Sequence, residues 1–302
     1  MNHFHSTGRV IVLITLLLAG CTSEISEVVP GPTLDLEEQF LFVEESPPGP
    51  VPARFGGGWF KSNFHSAPTF APDGKTVWWA GSFASQRVYV SHYQEGDWTE
   101  AEPVSYSEQI RFYRDPFISP DGMKFYFIST APVPGQNGNG KENIWMIDWE
   151  SEGWSEPEPL PEVINNLELH WTISVASNYD LYFAANLDGN PEIFKSPFVN
   201  GGYSEPTLLG EPVNSEFLEF TPNIAPDQSY LLFSRAEDNQ SPTRLYISYA
   251  SEDGWSEPAL VENVQDCISP IVTPDRKKVI YLKGPSELWW RDTSFIEELR
   301  PD

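Results

Sequence analysis

The sequence predicts an all-β fold, a β-propeller of four-stranded antiparallel blades: five by plain count, six if residues 36 to 60 build most of an extra sheet, with an N-terminal strand closing the ring. Three observations carry this. A Pro followed four residues later by Pro-Asp recurs about every 50 residues. Each copy is followed by an aromatic or β-branched run of the kind that suits strands. Four of the five units end on a similar element, clearest as Gly-Trp-Ser-Glu-Pro.

The first element reads Pro68 to Gly74, Pro116 to Gly122, Pro222 to Gln228 and Pro270 to Arg276, with a degenerate copy at Ile173 to Asn178 that keeps the spacing without the prolines. Its core is a tight turn. Pro fixes φ, the Asp side chain accepts from backbone donors just ahead of it, and Gly supplies a positive φ. The runs that follow are Val77-Trp78-Trp79, Phe125-Tyr126-Phe127, Leu181-Tyr182-Phe183, Tyr230 to Phe233 and Val279 to Leu282, and a second strand-like stretch comes after each. The closers are Asp97-Trp98-Thr99-Glu100, Gly153 to Pro157, Gly202 to Pro206 and Gly254 to Pro258, read as turns entering a strand whose aromatic residue covers the flank of its own sheet. Successive turns are 48, 57, 49 and 48 residues apart, counted from Asp73 through Asp121, Asn178 and Asp227 to Asp275. A four-stranded sheet of that size cannot bury both faces alone, so the units pack on one another, and radial packing makes a propeller. The fifth unit has no closer. A strand from about Gln39 to Arg54 is expected to complete it and protect the ring's edges.

Composition agrees. The 28 prolines in 302 residues oppose long helices, because Pro removes a donor and clashes with the preceding turn. The formal charge of -26 repels phosphate backbones, so nucleic acid is not an expected partner. Two cysteines, Cys21 and Cys267, exclude zinc fingers, iron–sulfur sites and disulfide scaffolds.

The N-terminus reads as an address. Arg9 precedes the apolar run Val10 to Leu18, which is too short to span a bilayer, and Ala19 and Gly20 lead to Cys21. Leu18-Ala19-Gly20-Cys21 resembles the bacterial lipoprotein box, which implies a signal peptide at residues 1–20 and lipid on Cys21 as the protein's membrane anchor. An ordinary secretory signal with a chance Cys is the alternative. Cleavage removes Arg9 alone among the charged side chains, leaving 17 Lys plus Arg against 44 acids, or -27. Residues 21–38 then form an acidic tether, and residues 39–302 the propeller. Thr22 is not the Asp that resembles an inner-membrane retention signal, which favours the outer membrane in a Gram-negative host.

The Ser/Ala-Pro-Asp-Gly-Lys turn with its Tyr-Phe strand resembles the WD40-like propeller repeats of the TolB type found in bacterial envelope proteins, over roughly residues 60 to 300. No Gly-His to Trp-Asp pairing is present, so eukaryotic-type WD40 repeats fit less well. The resemblance implies a propeller that binds something, and no particular reaction.

Aligned on the first Pro, one column is chemically rich: His65, Tyr113, His170, Glu219 and Cys267 stand three residues before it. Ala67, Asp115, Thr172, Thr221 and Ser269 stand one before it, on the same face by the period of two. These positions open the innermost strands, so the donors are expected to converge at one mouth of the central channel. His65, Tyr113, Asp115, His170, Glu219 and Cys267 are thus the candidate ligand-binding residues. Two His, a Glu and a Cys are types that suit a transition metal, yet donors on separate blades are far apart, and no metal or other cofactor is assigned. Such side chains also serve simply to bond neighbouring blades. Asp115 and Glu219, with Asp266 nearby, are the carboxylates to test for glycoside chemistry, which needs an acid and a base or nucleophile.

The function expected is a lipid-anchored envelope propeller that binds or scaffolds a protein or small polar ligand. The alternative is a carbohydrate-active hydrolase or lyase on the same scaffold. The turn aspartates are explained by the turn, the aromatic closers by the core, and the Gly- and Asn-rich loop 130–142 is the candidate mobile rim.

Overall fold

Each blade is a meander whose second strand is buried on both faces. The computed structural model describes residues 48–55, 64–81, 87–108, 110, 112–135, 140–151, 153–284 and 286–301. The signal peptide, Cys21, the tether and the first residues of the proposed closing strand lie outside them, as does part of loop 130–142. Among the described residues no helix is long and apolar enough to cross a membrane.

A short strand β1 (Ala53–Arg54) comes first. Blade 1 is β2 (Thr69–Phe70), β3 (Thr76–Ala80) and β4 (Val88–Gln94), with an outer edge in two pieces, β5 (Asp97–Trp98) and β6 (Glu102–Pro103), both paired to β4. Blade 2 repeats this with β7 (Arg114–Ile118), β8 (Lys124–Ser129), β9 (Asn143–Glu150), β10 (Gly153–Trp154) and β11 (Glu158–Pro159), and a one-turn helix α1 (Glu162–Asn165) follows. Blade 3 has β12 (Glu168–Val175), β13 (Leu181–Leu187), β14 (Asn190–Ser196), the small hairpin β15 (Phe198–Val199) with β16 (Gly202–Tyr203), and β17 (Thr207–Leu208) on β14. Blade 4 is β18 (Leu218–Ile224), β19 (Tyr230–Ala236), β20 (Arg244–Ser251), β21 (Gly254–Trp255) and β22 (Ala259–Gln265). Blade 5 is β23 (Cys267–Val272), β24 (Lys278–Lys283) and β25 (Glu287–Asp292), and a last turn α2 (Phe295–Glu298) ends the chain.

The fifth blade's missing edge is supplied by β1. Ala53 pairs with Trp290 and Arg54 with Trp289, giving the sheet order β1-β25-β24-β23. The expected closing strand is therefore present over its last two residues, and the blade count among the described residues is five.

Packing explains why the second strands read as unbroken apolar runs. Successive side chains point to opposite faces, so each strand feeds two neighbouring interfaces at once. Phe125 and Phe127 join the core shared with Trp78 of blade 1, while Tyr126 joins that shared with Ile173 and Phe183 of blade 3. Leu231 and Phe233 meet Tyr182 and Ile193 of blade 3, and Leu232 meets Val279 and Tyr281 of blade 5. Ile280 and Leu282 close the ring against Val77 and Trp79.

The turns behave as read. Asp73, Asp121, Asn178, Asp227 and Asp275 each accept, through their Oδ1, the backbone N–H two residues on, at 2.9–3.1 Å. The next position has φ of +66° at Gly74 and +75° at Gly122, and Tyr179, Gln228 and Arg276 hold the same left-handed conformation at +66°, +60° and +58°. The Ser of the closer has a role of its own. Ser155 Oγ accepts the Asp148 N–H at 3.0 Å while its own N–H donates to Asp148 O at 2.8 Å, and Ser256 with Tyr249 and Thr99 with His92 repeat the exchange. This splits the outer strand into two pieces. In blade 3 the partner is Pro197, which has no N–H, so only the Ser204 N–H bond to Pro197 O remains.

Candidate functional site

The innermost strands β7, β12, β18 and β23 each carry a register shift, at Arg114/Phe117, Leu169/Ile173, Phe220/Asn223 and Ile268/Ile271. Asp115, Trp171, Thr221 and Ser269 lie within these bulges at φ of +45°, +61°, +50° and +52°. Left-handed backbone at non-glycine residues is strained, and bulges re-aim side chains.

Tyr113, Glu219 and Cys267 stand just before the bulges and Asp115, Thr221 and Ser269 within them, so the period of two no longer puts the two columns on one face. Tyr113 is buried between blades 1 and 2, with its ring centroid 4.7 Å from Phe127 and its hydroxyl accepting the Ser107 N–H at 3.2 Å. Cys267 is fully buried in the core between blades 4 and 5, and burial pushes its thiol well above the ordinary range. Glu219 is also fully buried. It accepts from Ser215 Oγ at 2.6 Å, Ser215 N–H at 3.2 Å and Arg235 Nε at 2.8 Å. His170 lies on β12, and its side chain is outside the described set. Of the described members, Tyr113 and Cys267 thus enter cores between blades, while Glu219 is held within blade 4 by Ser215 and by Arg235, its cross-strand partner. Among the described residues no three His, Cys, Asp or Glu side chains are grouped as a metal ion would need.

Two members do meet. His65 Nδ1 lies 3.0 Å from Asp115 Oδ1, both side chains nearly sealed from water. Burial lowers the imidazole pKa, but the Asp115 charge and hydrogen bond outweigh it, and the net pKa is above the ordinary value. Beside them Arg114 pairs with Glu142 at 2.6 Å, and burial raises the Glu142 pKa against the pull of Arg114. Asp266 stands exposed at φ +53°. So Asp115 and Glu219 each hold a basic partner, His65 and Arg235, and Asp266 sits in solvent. A further carboxyl, Glu192, has its Oε2 buried without a partner, and burial together with the Glu219 charge pushes it up to about 7.

The channel itself has a narrow neck and a wide end. The neck is lined by Ala67, Thr172 and Ser269 from the second column and by the prolines that follow the bulges. Phe117, Asn223 and Ile271 line both neck and wide end, and so mark the throat between them. Beyond the throat, at the turn mouth, the channel opens into a cavity of about 290 Å³. Its walls are Phe70, Ile118, Val175, Ile224 and Val272, and its rim carries Pro72, Pro120, Pro226 and Pro274 of the Pro-Asp turns. Arg276 is the one charged residue among its described lining. Tyr230, whose hydroxyl bonds to no described residue, also lines it, and burial pushes this phenol up to about 12, so it keeps its proton at neutral pH.

A repeat position absent from the sequence reading stitches this end together. One residue after the aligned Pro stand Thr69, Ser174 and Asn223. Each accepts a backbone N–H from the next blade: Ile118 to Thr69 Oγ1 at 3.2 Å, Ile224 to Ser174 Oγ at 2.8 Å and Val272 to Asn223 Oδ1 at 3.1 Å. Polar residues at that position, beside Phe117 and Ile271 at the equivalent sites, were the available signal.

The chain matches no protein-family model and no curated protein. Its structure is similar to the endo-arabinase from Bacteroides thetaiotaomicron VPI-5482, at TM-score 0.53 and 10% identity over 77% of this chain and 94% of that one. It is also similar to TolB from Acinetobacter baumannii, at TM-score 0.51 and 16% identity over 76% of this chain and 54% of that one. The chain therefore spans about half the length of that TolB. These likenesses show the propeller fold.

Proposed function

We propose that this protein is a cell-envelope propeller, held by lipid on Cys21, that binds a protein segment or small polar ligand in the turn mouth of its channel. The observation that carries the reading is the cavity of about 290 Å³ with its rigid proline rim and few polar groups, a composition usual for recognition sites. The carbohydrate-active alternative has less support. A glycosidase needs two carboxyl groups facing one bond, whereas Asp115 is bonded to His65 and Glu219 to Arg235.

The test combines ligand-observed NMR with the rim variant Ser177→Trp, which places an indole at an exposed lining position. A panel of peptides and polar metabolites is screened against the mature chain, and binding is expected to be lost in the variant. Ligands that bind both proteins equally would refute the channel site. Turnover of a glycan that disappears in Asp115→Asn or Glu219→Gln would favour the enzyme. Release of a Cys21→Ala variant from membranes is the expected outcome for the anchor, and retention would overturn it.

A further inference from the structure

We propose that the turn-mouth cavity selects a ligand with an apolar body and a single carboxylate head, held by Arg276, Tyr230 and Asn223; this rests on the binding function proposed above. Three groups at the cavity carry the argument. Asn223 is 94% buried, being 6% exposed, and its amide cannot be flipped, because its Oδ1 is committed to the Val272 N–H at 3.1 Å. Its Nδ2 is therefore a fixed donor, and no described residue accepts from it. Tyr230 also lines the cavity, and its hydroxyl has no described partner. Arg276 supplies the charge.

Arg276 stands where the turn favours glycine. Gly74 and Gly122 fill the equivalent position in blades 1 and 2, while Arg276 is held at φ +58°, its carbonyl accepting from Thr293 Oγ1 at 2.5 Å. Left-handed backbone at a non-glycine residue is a reason to look for function. The other two non-glycine copies have work between blades: Tyr179 bonds Asp121, and Gln228 Oε1 accepts from Tyr182 at 2.7 Å and Lys195 at 2.9 Å. Neither lines the cavity. Arg276 does, and its contact with Asp227 is at 4.0 Å with both side chains more than half exposed, a pair that contributes little and exchanges readily.

The protein's acidity does not forbid an anion here. Around this mouth Asp121 is bonded by Tyr179, Asp148 by Lys124, Asp180 by Lys195 and Asp275 by Lys278. Charges farther away are screened within about 10 Å at ordinary ionic strength. The apolar walls then take the body of the ligand, and the guanidinium, phenol and amide take its head, since a carboxylate accepts charge-assisted bonds that a neutral amide cannot match.

The experiment titrates the mature chain, by NMR, with 4-phenylbutyrate, its primary amide and 4-phenylbutylamine, against wild type, Arg276→Gln, Tyr230→Phe and Ser177→Trp. The expected result is millimolar or tighter binding of the acid, about tenfold above the amide, with no binding of the amine, consistent with one charge-assisted contact. Arg276→Gln should erase the preference for the acid while leaving amide binding. Tyr230→Phe should weaken the acid several-fold. Equal affinity for acid and amide, both lost in Ser177→Trp, overturns the head-group assignment and leaves the channel site standing. Binding that Ser177→Trp does not affect refutes the channel site itself. Absence of binding by all three probes, or a preference for the amine, overturns the proposal.

Discussion

Replacing Arg235 by Met should show whether Glu219 is a structural ion-pair partner. The side chain of Arg235 is 12% exposed and that of Glu219 is 0%. Arg235 donates through Nε to Glu219 at 2.8 Å and through a terminal nitrogen to Pro212 O and Val213 O at 3.2 and 3.1 Å, and its guanidinium lies 4.8 Å from the Tyr246 ring centroid. Met fills similar space but leaves a buried carboxylate with only the two Ser215 donors, so the expected loss is about 3–5 kcal/mol of unfolding free energy. The double variant Arg235→Met, Glu219→Met removes the stranded charge and should lose less than the single variant, with a coupling of at least about 2 kcal/mol. Urea unfolding of the wild type, both single variants and the double variant measures this cycle. A loss below about 1 kcal/mol in Arg235→Met, or additive losses, would refute the buried-pair reasoning.

Glu192→Gln tests the other carboxyl of this region. Its folded pKa, about 7, is above the unfolded value of 4.5, so its contribution to stability is complete below pH 4.5 and is lost as pH rises through 7. The variant should therefore gain on wild type between those values and hold a constant advantage above them, about 1 kcal/mol after allowing for the side chain's partial exposure; parallel Tm-against-pH curves would contradict it. Asp115→Asn removes the charge and hydrogen bond that outweigh burial at His65, leaving burial and the Arg114 charge, which lower its pKa, against the weaker pull of Glu142. The imidazole should then titrate below its ordinary value in an NMR titration, and an unchanged midpoint would count against the pair. Gly122→Ala forces a Cβ to 3.2 Å from Pro72 Cδ at φ +75°, whereas Gly135→Ala, at φ +82°, meets nothing within 4 Å. Both should pay the left-handed backbone penalty of about 1 kcal/mol, and a denaturation midpoint for Gly122→Ala no lower than that for Gly135→Ala would argue against the inter-blade contact.

The architecture was legible because its signals are local. Pro-Asp-Gly determines a turn by its own backbone chemistry, the aromatic and β-branched run after it favours a strand, and the lack of a fifth closer pointed to β1. The site was less legible for two physical reasons. Bulges at Asp115, Thr221 and Ser269 break the period of two, so the two columns read from spacing alone do not share a face; Tyr113 and Cys267 enter the cores between blades, and Glu219 is bonded to Arg235 of its own blade. The residues that neutralise the acids come from elsewhere in the chain, His65 from blade 1 to Asp115 of blade 2 and Arg235 from the strand after Glu219, and neither pairing is visible in a column. Asn165 and Asn214 were missed in the same way. Forty-nine positions apart, each bonds both the N–H and the C=O of a third-strand residue, Ile144 and Ile193, standing in for a neighbouring strand. Their spacing matches the repeat, but an isolated Asn carries no pattern around it.

Joining β1 to β25 also sets an order of events. Ala53 meets Trp290, so the seam cannot form until nearly the whole chain has been synthesised. Until then Phe55, Phe64 and Trp79 at one end, and Ile280 and Trp290 at the other, are two halves of one apolar core without their complement. Contacts this distant along the chain form slowly, and exposed apolar edges aggregate. The nascent protein thus spends its vulnerable period as an open arc, and a truncation that removes only β25 would leave it in that state permanently.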